Sequence, residues 1–215
     1  MIESATGLVL RTRPLTETSL IIHWLTPNLG RLATVAKGAR RPKSPFRGKL
    51  DLFYLADFSF QRSRRSDLHN LREVSLKESH PRLREELGRI QQASYCAALL
   101  EQATEAETPL PGLFELVGTL LAHLGAQPTQ PQTIFAFELK LLEQLGLQPD
   151  LEQGRLTAGA KEVARQLFAR DWALASRLKL SGPQVEELRQ FLHGFLVFHL
   201  GKVPAGRSAA LESSA

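Results

Sequence analysis

Residues 35–49 carry the densest set of chemically active side chains, with six Lys and Arg residues and no Asp or Glu. The cations are Lys37, Arg40, Arg41, Lys43, Arg47 and Lys49. Because a folded core cannot hold so many unpaired charges, this stretch is predicted to be an exposed loop. Gly38 lets the backbone approach a ligand closely, and Pro42 and Pro45 stiffen its path. Lys and Arg neutralise backbone phosphates, so the loop is predicted to bind a polyanion; a solvated loop without a partner is the alternative.

The net charge of +5 over 215 residues is unevenly divided along the chain. Residues 1–80 contain 14 Lys and Arg against 7 Asp and Glu, a net charge of +7, whereas the remainder contains 13 against 15, a net charge of −2. This division is typical of a nucleic-acid-binding face attached to a near-neutral scaffold. A basic membrane-surface segment fits less well, since these cations do not follow one face of an amphipathic helix.

Other chemistries lack the residues that they need. The single cysteine, Cys96, excludes an internal disulfide and a multi-cysteine zinc site, and its usage indicates a cytosolic protein. His193 and His199 are six residues apart, which is not the spacing that turns two imidazoles toward one metal ion. There is no P-loop and no GxGxxG pattern. The sequence therefore predicts no catalytic residues, no metal site and no cofactor.

Aromatic residues interleave with the cations of the first eighty positions. Those in the predicted fourth strand are better explained as barrel core, but Phe46 lies within the basic loop itself. Since single-strand-binding proteins stack bases on aromatic rings, Phe46 is predicted as a candidate for base stacking.

Five short strands are predicted to position these side chains, at residues 5–13, 19–26, 31–37, 52–61 and 71–77. The basic loop joins the third strand to the fourth, and a second basic turn at residues 62–67 joins the fourth to the fifth. Five strands whose longest connection is the third fit an OB-type barrel, although an SH3-like barrel uses similar elements. In OB folds the face of strands 2 and 3 and its flanking loops bind oligonucleotides.

From residue 82 the hydrophobic period becomes helical, with helices predicted at residues 82–106, 113–124, 133–145, 159–168, 172–178 and 181–200. The expected fold class is α+β with several domains. It consists of an OB nucleic-acid-binding domain at 1–80, an all-helical domain at 81–201 and a flexible tail at 202–215. No apolar run approaches the roughly 20 residues of a membrane span, and no secretory leader is evident.

Three parts of the sequence resemble one bacterial family. Glu17-x-Ser19-x-Ile21, Thr26, Gly30 and the run 35–44 resemble the N-terminal signature of the RecO family of DNA repair proteins. Residues 137–151 are similar to that family's central helix, and residues 198–201 to the end of its C-terminal helix. Together these segments cover most of the chain in the family's order.

The resemblance implies an N-terminal OB fold, a helical C-terminal domain and a non-enzymatic recombination mediator of the RecF pathway, located in the cytoplasm at the nucleoid. Such proteins bind single- and double-stranded DNA, anneal complementary strands, bind RecR, contact the acidic tail of single-strand-binding protein and help RecA to load. Four DNA contacts are carried over from the family's basic motif: Lys37, Arg40, Arg41 and Lys43. Further contacts are added on charge and placement alone: Arg11, Arg13, Arg47, Lys49, Arg62, Arg64 and Arg65.

The sequence departs from many relatives after residues 149–151, where they carry a four-cysteine zinc site and this chain has no cysteine. A zinc finger is therefore expected to be absent. The pocket for the acidic partner tail is placed near residues 188–199, with Arg189 as its cation. Two other function classes remain open: an RNA-binding or ribosome-associated OB protein, and a magnesium-dependent nuclease.

Overall fold

The computed structural model describes residues 1–110, 112–152 and 155–212. The chain divides into two compact units. The first, which we call the barrel unit, contains residues 1–80 and 104–114; the second, the helical unit, contains residues 81–103 and those from 115 onward. Residues 104–114, which the sequence assigns to the helical domain, thus belong to the barrel by their contacts.

Five strands form the barrel unit: β1 Ile2–Pro14, β2 Leu20–Thr26, β3 Gly30–Ala36, β4 Leu55–Gln61 and β5 Leu68–Glu78. They close in the order β1-β2-β3-β5-β4, because β1 pairs with β2 along its second half and with β4 along its first half. The β3–β5 pair is parallel and the other pairs are antiparallel. This is the strand order of an OB barrel, so the predicted fold is confirmed.

The barrel core is built from inward-facing residues that alternate along each strand. Trp24 stacks on Phe58 with ring centroids 4.2 Å apart, and its indole N–H donates to the hydroxyl of Thr34 at 2.8 Å. The one polar group that this large buried side chain carries is therefore satisfied. The aromatic residues predicted as core in the fourth strand, Phe58 and Phe60, are buried here.

Residues 104–108 return to the barrel and run beside the start of β3. The backbone N–H of Glu107 donates to the carbonyl of Arg31 at 2.8 Å, and the Arg31 side chain donates to the Thr104 hydroxyl at 2.6 Å. Gly30 has a φ of +66°, and a Cβ there would lie 2.5 Å from the carbonyl oxygen of Thr108. Only glycine satisfies both the backbone conformation and this close approach.

Seven helices follow among the described residues: α1 Leu87–Ala103, α2 Leu113–Ala126, α3 Pro131–Gln144, α4 Ala158–Ala169, α5 Trp172–Ala175, α6 Gly182–Leu200 and α7 Arg207–Leu211. A 3-10 turn, Pro81–Arg84, precedes α1. Helix α3 lies at the centre, since it contacts α1, α4, α5, α6 and α7. Ser181 caps α6 in a reciprocal capping box with Gln184. No helix in the described ranges is long and apolar enough to cross a membrane.

The C-terminal segment differs from the predicted flexible tail. Residues 207–211 form α7, in which Arg207, Ala210 and Leu211 are buried. Arg207 donates to both carboxylate oxygens of Glu138, at 2.7 and 2.8 Å, and Tyr95 donates to the same carboxylate at 2.5 Å. Glu138 is fully buried, so this ion pair fixes α7 against α3.

Candidate nucleic-acid interface

The basic loop, residues 37–49, follows β3 and is a chain of tight turns. Its backbone N–H groups donate to carbonyls three residues earlier at five positions: Ala39, Arg41, Ser44, Arg47 and Lys49. Gly38 adopts a φ of +69°, which glycine takes without strain. Because successive turns fix most of its backbone, the loop holds its cations in a defined arrangement.

The loop between β1 and β2 braces the basic loop. The backbone N–H of Arg40 donates to the Thr18 carbonyl at 3.0 Å, and the Arg40 guanidinium donates to the Thr16 carbonyl at 3.3 Å. Thr16 shapes this brace, since its hydroxyl accepts from the backbone N–H groups of Thr18 and Ser19. This role of Thr16 was not predicted, although a Thr-x-Thr-Ser run shortly after a proline is a recognisable turn signal.

The cations of the basic loop face solvent. Lys37, Arg40, Arg41, Lys43 and Arg47 are exposed, and Lys49 is half-buried. None of these six pairs with a carboxylate among the described residues. The Arg47 guanidinium donates instead to the Pro42 carbonyl at 3.4 Å, within the loop. Their positive charge is therefore not neutralised internally and acts on the surrounding solvent.

Phe46 does not lie where a base could stack on it. Only 7% of the side chain is exposed, and the ring packs in the barrel core with Trp24 and Phe58. The stacking prediction is therefore corrected. Phe46 is the apolar residue that anchors the basic loop to the barrel. Burial of its phenyl ring stabilises this position of the loop, because transferring apolar surface out of water is favourable.

The prediction that Arg62 contacts DNA is also corrected, because its side chain forms ion pairs within the barrel unit. Its guanidinium donates to both oxygens of Glu3, at 2.7 and 3.0 Å, and forms a second ion pair with Glu107. These hydrogen bonds raise the pKa of Arg62 and lower the pKa of Glu3. His69 completes the cluster with a 2.8 Å contact from its Nε2 atom to Glu107. Because two carboxylates neutralise the Arg62 guanidinium, we do not expect it to bind a phosphate.

The remaining predicted contacts divide between two places. Arg13, which is exposed, lies near the end of β1, where Pro14 pairs with Leu20 and Leu20 pairs with Ala36, so it lies near the start of the basic loop. Arg11 is exposed on the same strand, opposite His23. Arg64 and Arg65 are exposed in the turn after β4, which runs antiparallel to β3. The chain therefore leaves β4 in the opposite direction to the basic loop.

The outward face of β2 and β3 is not an open binding surface. Its residues Ile21, Leu25 and Val35 are 6%, 2% and 8% exposed, and residues 104–108 run beside β3. The run Leu20-Ile21-Ile22 carried the signal for this, because continuous apolar residues indicate a strand that is covered on both sides. Much of this face is therefore buried, whereas the flanking basic loop is exposed.

A cleft of about 790 Å³ lies on the barrel wall beside the basic loop. It is lined by the hydroxyls of four residues, Ser4, Thr6, Ser59 and Ser75, and by four charged residues, Lys49, Arg72, Asp57 and Glu73. Asp57 accepts from Thr6 at 2.5 Å and from Lys77 at 3.1 Å. Positive and negative side chains are equal in number here, so the cleft does not extend the cationic surface of the loop.

Arg189 lies beside a cleft of about 400 Å³ in the helical unit. One side of the cleft is α6, with Arg189 and His193, and the other is the C-terminal segment at Val203–Ser208. The Arg189 side chain is 36% exposed and lies 3.6 Å from Glu186. The side of the cleft formed by the C-terminal segment was not predicted, because residues 202–215 were interpreted as a flexible tail. The described ranges contain no group of three His, Cys, Asp or Glu residues that could hold a metal ion.

A closed OB barrel that exposes a cationic loop, followed by a helical unit built around one buried helix, defines an OB-fold protein with an appended helical domain. The family model for the N-terminal domain of recombination protein O matches residues 1–80, and the model for its C-terminal domain matches residues 84–156. The chain therefore belongs to the RecO family of DNA repair proteins.

Similarity to relatives named DNA repair protein RecO extends over nearly the whole chain. The chain is 33% identical to a DNA repair protein RecO from Anaeromyxobacter sp. strain K, and the match covers 94% of this chain and 93% of the relative. It is 30% identical to the DNA repair protein RecO of Bacillus pumilus, over 94% and 81% respectively, and 28% identical to that of Alkaliphilus metalliredigens, over 94% and 96%.

Proposed function

We propose that this chain is a non-enzymatic mediator of DNA repair that binds DNA through its basic loop and anneals complementary strands. The observation that carries the proposal is the set of exposed, unneutralised cations at residues 37–49 on a loop of fixed conformation. Lys37, Arg40, Arg41 and Lys43 are the proposed central contacts, with Arg11, Arg13, Arg47 and Lys49 beside them. Arg64 and Arg65 form a separate, weaker contact at the turn after β4.

Annealing follows from electrostatics and requires no bond to be made or broken. Two DNA strands repel each other through their phosphates, and a shared cationic surface releases counterions and screens that repulsion. The preorganised loop pays little ordering entropy when it binds. The role is proposed for the cytoplasm, at the nucleoid.

The test is a salt-titrated binding and annealing assay on the full chain. Reversing three charges together, Arg40→Glu, Arg41→Glu and Lys43→Glu, should weaken binding and reduce the salt slope by roughly 2 to 3 units, since each phosphate contact contributes about 0.7 to 0.9. The matched control reverses three exposed cations of the helical unit: Arg82, Arg177 and Lys179. Equal losses in the two variants would mean that net charge, and not the loop, drives binding.

Two further arms separate this proposal from other function classes. Competition between DNA and RNA of the same sequence tests the RNA-binding alternative, which would be favoured if RNA displaced DNA at lower concentration. Incubation of labelled DNA with magnesium tests the nuclease alternative. We expect annealing without cleavage, including on DNA that is coated with single-strand-binding protein.

We further propose that the helical unit recruits partners: RecR, the acidic tail of single-strand-binding protein, and through them RecA. The cleft beside Arg189 supports the tail contact, because it combines a cation with the apolar walls of Val203 and Leu211. Arg189→Ala should weaken binding of a tail peptide, whereas the exposed Arg177→Ala should not. If both variants bound the peptide as well as the unaltered chain, this cleft would not be the tail site.

A further inference from the structure

Helix α6 ends in a row of aromatic side chains that the core does not cover. Phe198 is 82% exposed, which is unusual for a phenylalanine, and the neighbouring Val197 is 38% exposed. Phe191 and Phe195 are half-buried, and His199 is exposed. We call Phe191, Phe195, Phe198 and His199 the α6 aromatic row.

The rings of the row touch one another in sequence along the helix. The centroids of Phe191 and Phe195 are 6.2 Å apart, those of Phe195 and His199 are 4.3 Å apart, and those of Phe198 and His199 are 4.9 Å apart. Residues four apart lie on the same helical face, so the contacts form one continuous strip. The strip ends at Phe198, whose ring has most of its surface free.

The charge around the row is compatible with an anionic ligand. Residues 188–211 contain no Asp or Glu, although they include three Lys or Arg residues and two histidines. Arg207 is neutralised by Glu138, but Lys202 is exposed two residues after α6 ends, and no carboxylate within the described ranges pairs with it. A polyanion could therefore approach the row without meeting a carboxylate from this segment.

The same charge argues against a second copy of the chain as the occupant. In a twofold-symmetric contact the row would face itself, and Lys202 would find no acid in the opposite row. The nearest carboxylates on α6 are engaged at its first turns, Glu187 by Thr157 at 2.9 Å and Glu186 by Gln190 at 2.7 Å. An aromatic strip with a cation at its end is the arrangement on which single-stranded nucleic acids stack their bases.

We propose that the α6 aromatic row is a second DNA-binding surface, which takes unpaired bases of a single strand by stacking on Phe198 and its neighbours. The proposal rests on the proposed function only for the identity of the nucleic acid, because it uses neither the basic loop nor the barrel. A strand held by stacking keeps its bases unpaired, whereas the basic loop acts on phosphates of either form of DNA. The two surfaces together would let the protein hold two strands for annealing.

The test measures binding of a fluorescent oligo(dT) to the full chain and to three variants at one exposed position. Phe198→Leu and Phe198→Ala should weaken binding roughly 5- to 150-fold, which corresponds to the about 1–3 kcal/mol of one stacked base. Phe198→Tyr keeps a ring and should bind within about twofold of the unaltered chain. The salt slope should be unchanged in all three, because no charge is removed. On duplex DNA, whose bases are already stacked, Phe198→Leu should have no effect.

The proposal would be overturned if Phe198→Leu bound oligo(dT) as tightly as the unaltered chain, or if Phe198→Tyr lost as much affinity as Phe198→Leu. An equal loss of affinity for duplex DNA, or a change of oligomeric state in Phe198→Leu, would also contradict it. Photo-crosslinking with an iodouracil oligonucleotide gives a direct readout, and the crosslinked peptide should contain Phe198. The charge-reversed loop variant separates the two proposals. If its salt slope were unchanged while Phe198→Leu still weakened binding, the loop assignment would fail and the aromatic row would stand.

Discussion

The basic loop at residues 37–49 and the C-terminal segment at residues 202–212 are both short stretches that carry arginine outside the long helices and the strands. The fold uses their arginines in opposite ways. Arg40 and Arg41 are exposed, and the side chain and the backbone N–H of Arg40 donate to carbonyl oxygens. Arg207 is buried and donates to both oxygens of Glu138. An arginine in such a stretch is thus a candidate for ligand binding only where no buried carboxylate faces it.

The two regions also differ in which side chain holds them in place. An apolar ring, Phe46, anchors the basic loop, so its cations remain free. An ion pair anchors the C-terminal segment, supported by Gln92, whose side-chain amide donates to the Ala210 carbonyl at 2.8 Å. Although burial alone would lower the pKa of Arg207, its hydrogen bonds with Glu138 raise it, so Arg207 keeps its positive charge inside the protein.

The largest expected effect is on the C-terminal segment. Arg207→Leu should lower the free energy of unfolding by about 3–5 kcal/mol, because the buried Glu138 carboxylate loses its countercharge and keeps the Tyr95 hydroxyl as a donor. Urea denaturation measures this, and Lys202→Leu, an exposed change in the same segment, should stay within about 0.5 kcal/mol. Replacing both Arg207 and Glu138 by Leu should recover much of the loss. Equal effects at positions 202 and 207 would remove the distinction between the two regions.

The anchor of the basic loop should be the next most sensitive site. Phe46→Ala should cost about 3 kcal/mol of unfolding free energy through the lost burial and the cavity that remains. DNA affinity should fall because the loop loses its fixed conformation, yet the salt slope should stay the same because every cation remains. Ile2→Ala, which removes an apolar side chain of the same unit that is 64% exposed, serves as the control. A fall in DNA affinity without any loss of stability would restore the stacking role of Phe46.

The ion pair between Arg62 and Glu3 should make the free energy of unfolding depend on pH in the acid range. Since the hydrogen bond from Arg62 lowers the pKa of Glu3 in the folded state, Glu3 stabilises the fold above its ordinary pKa of 4.5 and loses this effect as the pH falls through the lower value. Glu3→Gln should cost about 1 kcal/mol at pH 7, given that the pair is partly exposed, and progressively less toward pH 3. Urea midpoints measured across this range check the sign; a cost that grew in acid would contradict it.

The smallest effect on stability is expected at the exposed arginines of the loop. Arg41→Gln should change the free energy of unfolding by less than about 0.5 kcal/mol, because the side chain has no carboxylate partner in the described structure. The salt slope of DNA binding should nevertheless fall by about 0.7 to 0.9. Arg177→Gln should leave both quantities unchanged. A stability loss at Arg41 comparable to that at Arg207 would erase the comparison.

Local chemistry made much of the barrel predictable. The apolar runs in β1 and β2, the alternation in β4, the turn at Pro27-Asn28-Leu29-Gly30 and the long third connection indicate the order of elements. Six cations without an acid are predicted to lie in solvent. The start of α6 was likewise predictable, since a serine followed by a proline two residues later is typical of a helix N-terminus, here Ser181 and Pro183. These features depend on residues that are neighbours in the sequence.

Partners far apart in the sequence were not predictable. Arg62 finds Glu3 and Glu107 at separations of 59 and 45 residues, and Arg207 finds Glu138 at a separation of 69. A single sequence does not say which carboxylate a given cation will meet, so Arg62 was predicted as a DNA contact and Arg207 as part of a tail. Phe46 was predicted to stack on bases for the same reason, because its burial depends on core residues such as Trp24 and Phe58 that lie elsewhere in the sequence.

The return of residues 104–108 to the barrel has a practical consequence for dissecting the molecule. Strand β3 pairs with β5 only at residues 33–35, and its earlier part instead meets Ala106 in a short parallel bridge. A fragment that stops at residue 80 would leave this stretch of strand edge with unsatisfied backbone groups, which recruit other chains by strand addition. Such a fragment should self-associate, whereas one that also supplies residues 104–114 should remain monodisperse. The barrel is therefore a unit in space and not a unit of contiguous chain.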